Sequence, residues 1–308
     1  MRREPPAEQV LRELMRGRVT PFLGAGANLC GRPPGLEWSP GCGFYPSGAE
    51  LAHYLAEAFD VQGADPRNLM EVASFVLVMH GRRPLYMELD RVFSEDVPPS
   101  PPHRFLARAR SAARRIDRSA PAPLFVTTNY DNALEQALGE VNEPYDVVAY
   151  VAEGDRRGKF VHLTADGEKI LIDDPSRYEG IGLDERPVIL KIHGTIDRAD
   201  EGWDSFVIAE EQYVEYLAAD TWAAIPAAVH ARMLSSRFLF LGYAMRDWNL
   251  LVILHRLRLL PHPRFPSWAI QLNQTAVDTR RWEARFTESF DIPLDAFVEE
   301  LEAALLRL

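Results

Sequence analysis

The residues of this 308-residue chain best suited to chemistry sit in four short turns. They are Gly24-Ala25-Gly26-Ala27-Asn28, Thr127-Thr128-Asn129-Tyr130-Asp131, His193-Gly194 and Gly242-Tyr243-Ala244-Met245-Arg246-Asp247, and Asn273 closes a fifth apolar stretch. An imidazole titrates near ~6.5 when unperturbed, so His193 can accept a proton from a hydroxyl or a water at neutral pH. The neutral amide of Asn129 can donate and accept at the same time. Glycines at 24 and 26 remove side chains from a tight turn and let backbone N–H groups approach a pyrophosphate. Each feature has a plainer reading. Asn129 and Asp131 are good helix caps, a lone Gly-x-Gly is common, and a histidine ending a buried strand can simply be satisfied by backbone.

What changes the balance is where the turns fall. Each follows a short apolar run without helical periodicity, at 19–23, 124–126, 186–192, 236–241 and 268–273. Such runs are expected of strands buried on both faces of a parallel sheet. Ala133, Leu134, Ala137 and Leu138 then recur at helical spacing, so 124–138 reads as strand, polar turn and helix, half of a βαβ unit. Open α/β sheets bind ligands at the carboxyl ends of their strands. Several polar strand ends together therefore imply one ligand lying across that edge.

The expected fold is α/β, a Rossmann-like, mostly parallel sheet with helices on both faces. One domain spans 1–308, with its core at 19–30, 123–140 and 186–275. Segment 31–120 inserts a Gly/Pro-rich loop (31–46) and helices near 47–58, 68–79, 84–93 and 102–116, the first opened by a Ser47/Glu50 capping box. Residues 7–17 form an amphipathic helix closed by Gly17. Residues 145–185 alternate apolar and polar and are expected as a peripheral β-hairpin. A short strand at 205–208 leads into helices near 209–218 and 221–235, and another helix spans 248–260. Helices at about 275–286 and 293–307 close the chain.

Composition narrows the partners. The 34 Lys+Arg and 45 Asp+Glu residues give a net charge of −11, a poor match to nucleic acid or an anionic membrane. The basic run 104–118 reads as a solvated helix face. Cys30 and Cys42 are the only cysteines, with no paired-cysteine or His-rich metal spacing, so no metal is expected. The N-terminus lacks a signal-type apolar core and no run reaches membrane-spanning length, so the expected location is cytoplasmic.

The wording and order of GAGAN (24–28), TTNYD (127–131), KIHG (191–194) and FLGYAMRDWNL (240–250) resemble the signature turns of the sirtuin superfamily. The branch they resemble is the bacterial sirtuin-like group of NAD-consuming antiphage effectors. The resemblance covers most of the chain, about 19–273. It implies NAD as substrate, in an extended pose. Gly24 and Gly26 would line the diphosphate, Asn129 and His193 would face the nicotinamide ribose, and Ala25, Asn28 and Thr128 would be further NAD-binding residues of the same turns. Gly242, Tyr243 and Asn273 would lie toward the adenosine half. Asp131 and Asp247 match acidic positions of the motifs and are expected mainly to cap helices or order loops, with ligand contact as a second role.

Two departures bear on activity. Deacylating sirtuins carry a paired-cysteine zinc module after the HG turn, whereas 195–241 holds no cysteine. The loop after GAG reads GLEWSPGCGFYP rather than Gly-Ile-Pro-Asp-Phe-Arg, so no nicotinamide-pocket acid is assigned. The resemblance thus implies an NAD glycohydrolase releasing nicotinamide and ADP-ribose, with Asn129 and His193 catalytic, acting in abortive infection. The alternatives are an NAD-dependent protein deacylase or ADP-ribosyltransferase, or a non-catalytic NAD-binding sensor or assembly module. Restraint of such an activity implies homo-oligomerisation or a regulatory partner such as a defence ATPase.

Overall fold

The computed structural model describes residues 5–197, 200–218, 225–243 and 266–308. Asp247 and the helix expected at 248–260 lie outside the described residues. Val10, Leu11 and Leu14 form the buried stripe of α1 (Ala7–Met15), and Gly17, at φ 65°, turns the chain into β1 (Val19–Leu23). The loop through 31–46 leads to α2 (Gly48–Ala58), opened by the expected Ser47/Glu50 capping box. Three more helices follow: α3 (Leu69–His80), α4 (Arg82–Phe93) and α5 (Pro101–Ile116). Next come β2 (Leu124–Thr127) and α6 (Ala133–Glu140).

The second half holds β3 (Asp146–Tyr150), β4 (Phe160–Leu163), β5 (Lys169–Ile172) and β6 (Val188–Lys191). A two-stranded ribbon, β7 (Gly194–Thr195) with β8 (Ser205–Phe206), precedes α7 (Glu210–Ala218) and α8 (Ala227–Ser235). The described remainder is β9 (Arg237–Leu241), β10 (Ser267–Ile270), α9 (Ala276–Glu283), β11 (Thr287–Phe290) and α10 (Leu294–Leu305).

Among the described residues, nine strands form one sheet in the order β11-β10-β9-β1-β2-β6-β3-β4-β5. The first seven run parallel, and β4 and β5 are antiparallel. Side chains alternate across it as strand geometry requires. Phe22, Leu124, Val126, Leu190 and Phe240 pack on one face with Tyr216, Val229, Met233 and Trp282 of α7, α8 and α9. Leu23, Phe125, Ile189 and Leu241 pack on the other with Leu14, Phe105, Leu138 and Phe297 of α1, α5, α6 and α10. Pro21 sits inside β1, where proline is unusual. The ladder to β2 begins only at Phe22, beyond the missing N–H. Helices α2, α3 and α4 share a third core, with Leu51, Leu55, Val72, Val76, Leu85 and Leu89, that closes over Tyr130 and Phe206.

The sheet differs from the expectation at both edges. Segment 145–185 does form a hairpin at the sheet's periphery, with β3 antiparallel to β4, but it is built into the main sheet. Its first strand, β3, lies parallel to β6 inside the sheet, and only β4 and β5 form the antiparallel edge. At the other edge β11 replaces an expected linker between two helices. Its text, TESF, carries one large apolar residue, and its strand character comes from backbone pairing with β10. No described helix is long and apolar enough to cross a membrane.

Candidate active site

The sheet order sets β9, β1, β2 and β6 side by side and parallel, so the turns leaving them share one edge. A cavity of about 230 Å³ opens there, beneath the α2 N-terminus. It brings together Ala25, Asn28, Thr128, Asn129, Asp131 and His193 of the residues singled out in the sequence. Pro46, Leu51, Leu69 and Phe93 of the helical insertion supply an apolar wall, and Tyr213 of α7 contributes to the lining. The insertion is therefore a wall of the cleft, built by its own core.

His193 is 3% exposed. Its ring stands edge-on to Tyr213 and Tyr216, with centroids at 5.5 and 5.7 Å, and no described side chain hydrogen-bonds it. The two tyrosines lie one turn apart on α7, a spacing that puts both on one helix face. The His193 carbonyl accepts from Val207 N at 2.9 Å. Burial in this aromatic setting pushes the imidazole down from 6.5 to about 3, because desolvation penalises the cation. His193 is held neutral.

Asn129 Nδ2 donates to the Gly24 carbonyl at 3.2 Å, and its backbone N donates to Thr127 Oγ1 at 3.0 Å. With the amide nitrogen turned toward a carbonyl, the amide oxygen is the group without a partner among the described residues. Asn129 is thus no helix cap. That task falls to Asp131, whose Oδ1 accepts from Ala133 N at 3.0 Å while Oδ2 accepts from Asn28 Nδ2 at 2.7 Å. A carboxylate there dictates which end of the Asn28 amide faces it, and Asn28 Oδ1 is enclosed without a donor among the described residues. His103 lies close enough to feel Asp131. Burial holds its imidazole down at about 4, with the carboxylate opposing the shift.

The glycines are used differently from the expectation. Gly24 N donates to Leu241 O at 3.0 Å and Gly26 N to Gly242 O at 3.1 Å, so both amides are taken within the fold. A side chain on Gly24 would meet Gly242 O at 2.8 Å and the Tyr243 ring at 2.9 Å, and one on Gly242, at φ 74°, would strike Ala27 N. The Gly-Ala-Gly and Gly-Tyr turns lock backbone to backbone. Tyr243 is a buried strut: its hydroxyl donates to Leu23 O at 2.9 Å and receives Thr128 Oγ1 at 2.8 Å. Asn273 lies apart from the cavity, exposed, at φ 57°.

Residues 123–289, more than half of the chain, match the SIR2-like domain. The chain belongs to this family. Among curated proteins, this SIR2-like chain is 24% identical over 254 residues to "NAD(+) hydrolase ThsA" of Acinetobacter baumannii, covering 82% of the chain and 42% of that protein. It is 25% identical over 210 residues to the protein of the same name from Cytobacillus dafuensis, covering 68% and 34%. For the Enterococcus faecium protein the figures are 24% over 261 residues, 84% and 42%. The SIR2-like chain spans about two fifths or less of the length of these relatives.

Lys191 and the two α7 tyrosines were missed in the sequence. Lys191 had a signal, since a lysine inside the apolar run VILKIHG must find partners or leave the strand. Tyr213 and Tyr216 had none. Among the described residues no group of three or more His, Cys, Asp and Glu side chains is placed to hold a metal ion.

Proposed function

We propose that this SIR2-like chain hydrolyses NAD to nicotinamide and ADP-ribose. The observation that carries this reading is the meeting of Asn129 and His193 in one cavity at the carboxyl edge of the sheet. The names of its relatives support it. A cavity of about 230 Å³ is small beside the roughly 300–1,000 Å³ of complete ligand pockets. It suits the nicotinamide–ribose half, with the adenosine half running along the strand ends toward β9.

In the reaction the bond from the ribose anomeric carbon to the pyridinium nitrogen breaks, and nicotinamide leaves as a neutral base. A water oxygen bonds to the same carbon, and its proton passes to a base and then to solvent. Departure precedes full attack, so the transition state is close to an oxocarbenium ion and is stabilised by groups that add no positive charge beside it. A neutral His193 meets that demand. Water bonding to a cationic carbon becomes strongly acidic, so even a weakly basic imidazole can take its proton. The Asn129 amide oxygen is placed to accept from the water or a ribose hydroxyl. The apolar wall of the insertion excludes competing water.

Incubating the protein with NAD, with and without an acyl-lysine peptide, and identifying products tests this reading. Free ADP-ribose and nicotinamide without peptide are expected. Product formed only with peptide would replace hydrolysis by transfer. Loss of cellular NAD during phage infection is the biological role we infer, on the family resemblance alone. Regulation by self-association or by a partner ATPase rests on the same ground.

A further inference from the structure

The strand that delivers His193 ends in a lysine with no exposure to solvent. Lys191 Nζ donates to the Asp131 carbonyl at 2.6 Å and to Thr195 Oγ1 at 3.0 Å, and lies 3.5 Å from the Tyr130 carbonyl. It also meets Glu135 Oε1, in the first turn of α6, at 2.6 Å. An ammonium has three protons, and the three close partners use them all. The partners are not a random shell. Tyr130 and Asp131 directly follow Asn129, Thr195 lies two residues beyond His193, and Glu135 belongs to the helix launched by the Asn129 turn.

We propose that Lys191 is a positioning residue that clamps the Asn129 turn and the His193 turn in one register. This rests on the reading of Asn129 and His193 as the reacting pair. Each turn leaves its own strand, and beyond the β2–β6 ladder the described backbone pairing between them is two bonds, Ile192 N to Thr127 O at the mouth of the turns and Ile196 N to Tyr130 O past them. The lysine supplies the rest. A hydrophobic replacement would leave the Asp131 carbonyl and the Glu135 carboxylate without their partner, and the cost of a buried charge would confuse loss of stability with loss of geometry. Replacing both members of the ion pair separates the two.

The test compares wild type, Lys191→Met with Glu135→Leu, and Thr195→Val. Nicotinamide release gives kcat and KM, thermal unfolding gives stability, and amide hydrogen exchange is followed at 129–131 and 193–196. Thr195→Val keeps the ammonium and its charge partner and cuts the link to the His193 side, along with the local bond from Thr195 Oγ1 to the Ile196 carbonyl at 3.0 Å. Misplacing reacting groups by an ångström costs on the order of 100-fold in rate. The expected result is a kcat lower by about that factor in the double variant and by about tenfold in Thr195→Val, with KM changed less than about threefold. Exchange in both turns should quicken together by at least about tenfold while the central strands stay protected. A wild-type kcat in Thr195→Val, or exchange that quickens in only one turn or across the whole sheet, would overturn the clamp. If wild-type protein binds NAD without cleaving it, the hydrolase reading fails, and the exchange pattern alone then decides the clamp.

Discussion

Lowering the pH from 7 should unfold this protein through its buried histidines, before its carboxylates titrate. His193 is held down to about 3 and His103 to about 4, each from an ordinary value of 6.5 and each mainly by burial. Above pH ~6.5 both rings are neutral folded and unfolded, and contribute no slope. Between ~6.5 and the folded values the unfolded chain binds a proton at each site and the folded chain does not. Stability therefore falls as pH falls, by up to ~1.4 kcal/mol per pH unit per histidine. Across two units the pair removes on the order of 5 kcal/mol, comparable to the whole stability of a marginal domain. Burial also lowers His162, beside Asp146, which steepens the trend. Glu50, held at about 2 chiefly by its hydrogen bond from Arg32, loses its contribution only at lower pH. The assay is urea unfolding at half-unit steps from pH 7.5 to 4.5, for wild type and His193→Gln. The variant's absolute stability is immaterial; its slope should be shallower by about one proton below pH 6. Parallel slopes would show that His193 titrates normally in the folded protein, and the neutral-base mechanism would fall with it.

The same neutrality predicts that kcat/KM for NAD stays flat from pH 8 to about 5 wherever the protein remains folded; a limb centred near 6.5 would contradict it. Asn129→Ala should lower NAD cleavage by roughly 100- to 10,000-fold while costing only about 1 kcal/mol of stability, because Gly24 O keeps its bond from Ala27 N at 2.9 Å. A melting curve beside the nicotinamide assay separates these effects, and an active Asn129→Ala would remove that residue from the chemistry. Gly242→Ala should destabilise by roughly 2 kcal/mol or more, since it combines a positive φ with a clash on Ala27 N. Unfolding in urea measures it, and a neutral result would mean that the two turns do not interlock.

The strands of the sheet centre were legible because they are buried on both faces, which writes continuous apolar text into β1, β2, β6 and β9. Their polar exits were legible for the opposite reason: Asn129, Asp131 and His193 interrupt that text abruptly. What failed was identity that depends on pairing. Segment 145–185 alternates as any half-buried hairpin would, and nothing in its own residues says that β3 joins β6 in parallel. Strand β11 has too few apolar residues to announce itself. The Gly-Ala-Gly turn was readable as a place without side chains, but two causes produce that pattern. A ligand needs the space, or a neighbouring backbone fills it. Only the register of β1 against β9 distinguishes them, and here Gly242 occupies the space.

That interlock changes how the candidate site is built. With the Gly24 and Gly26 amides bound to the carbonyls of Leu241, which ends β9, and Gly242 just beyond it, the first turn works as a fixed abutment: its Gly24 carbonyl orients the Asn129 amide. The second turn is held from below by Lys191 and capped by Asp131, and the third is seated between two tyrosines. Full charges near the cavity are thus engaged with protein partners, Lys191 with Glu135 and Asp131 with Asn28 and Ala133 N. The groups left to meet a substrate are neutral: an imidazole and an amide oxygen. For a reaction whose transition state carries its own positive charge, a neutral, preoriented lining needs little rearrangement as that charge develops, and this is where electrostatic catalysis gains most. The expense is placed in the buried ion pair and the desolvated histidines, which is why acid should unfold the protein before it titrates the site.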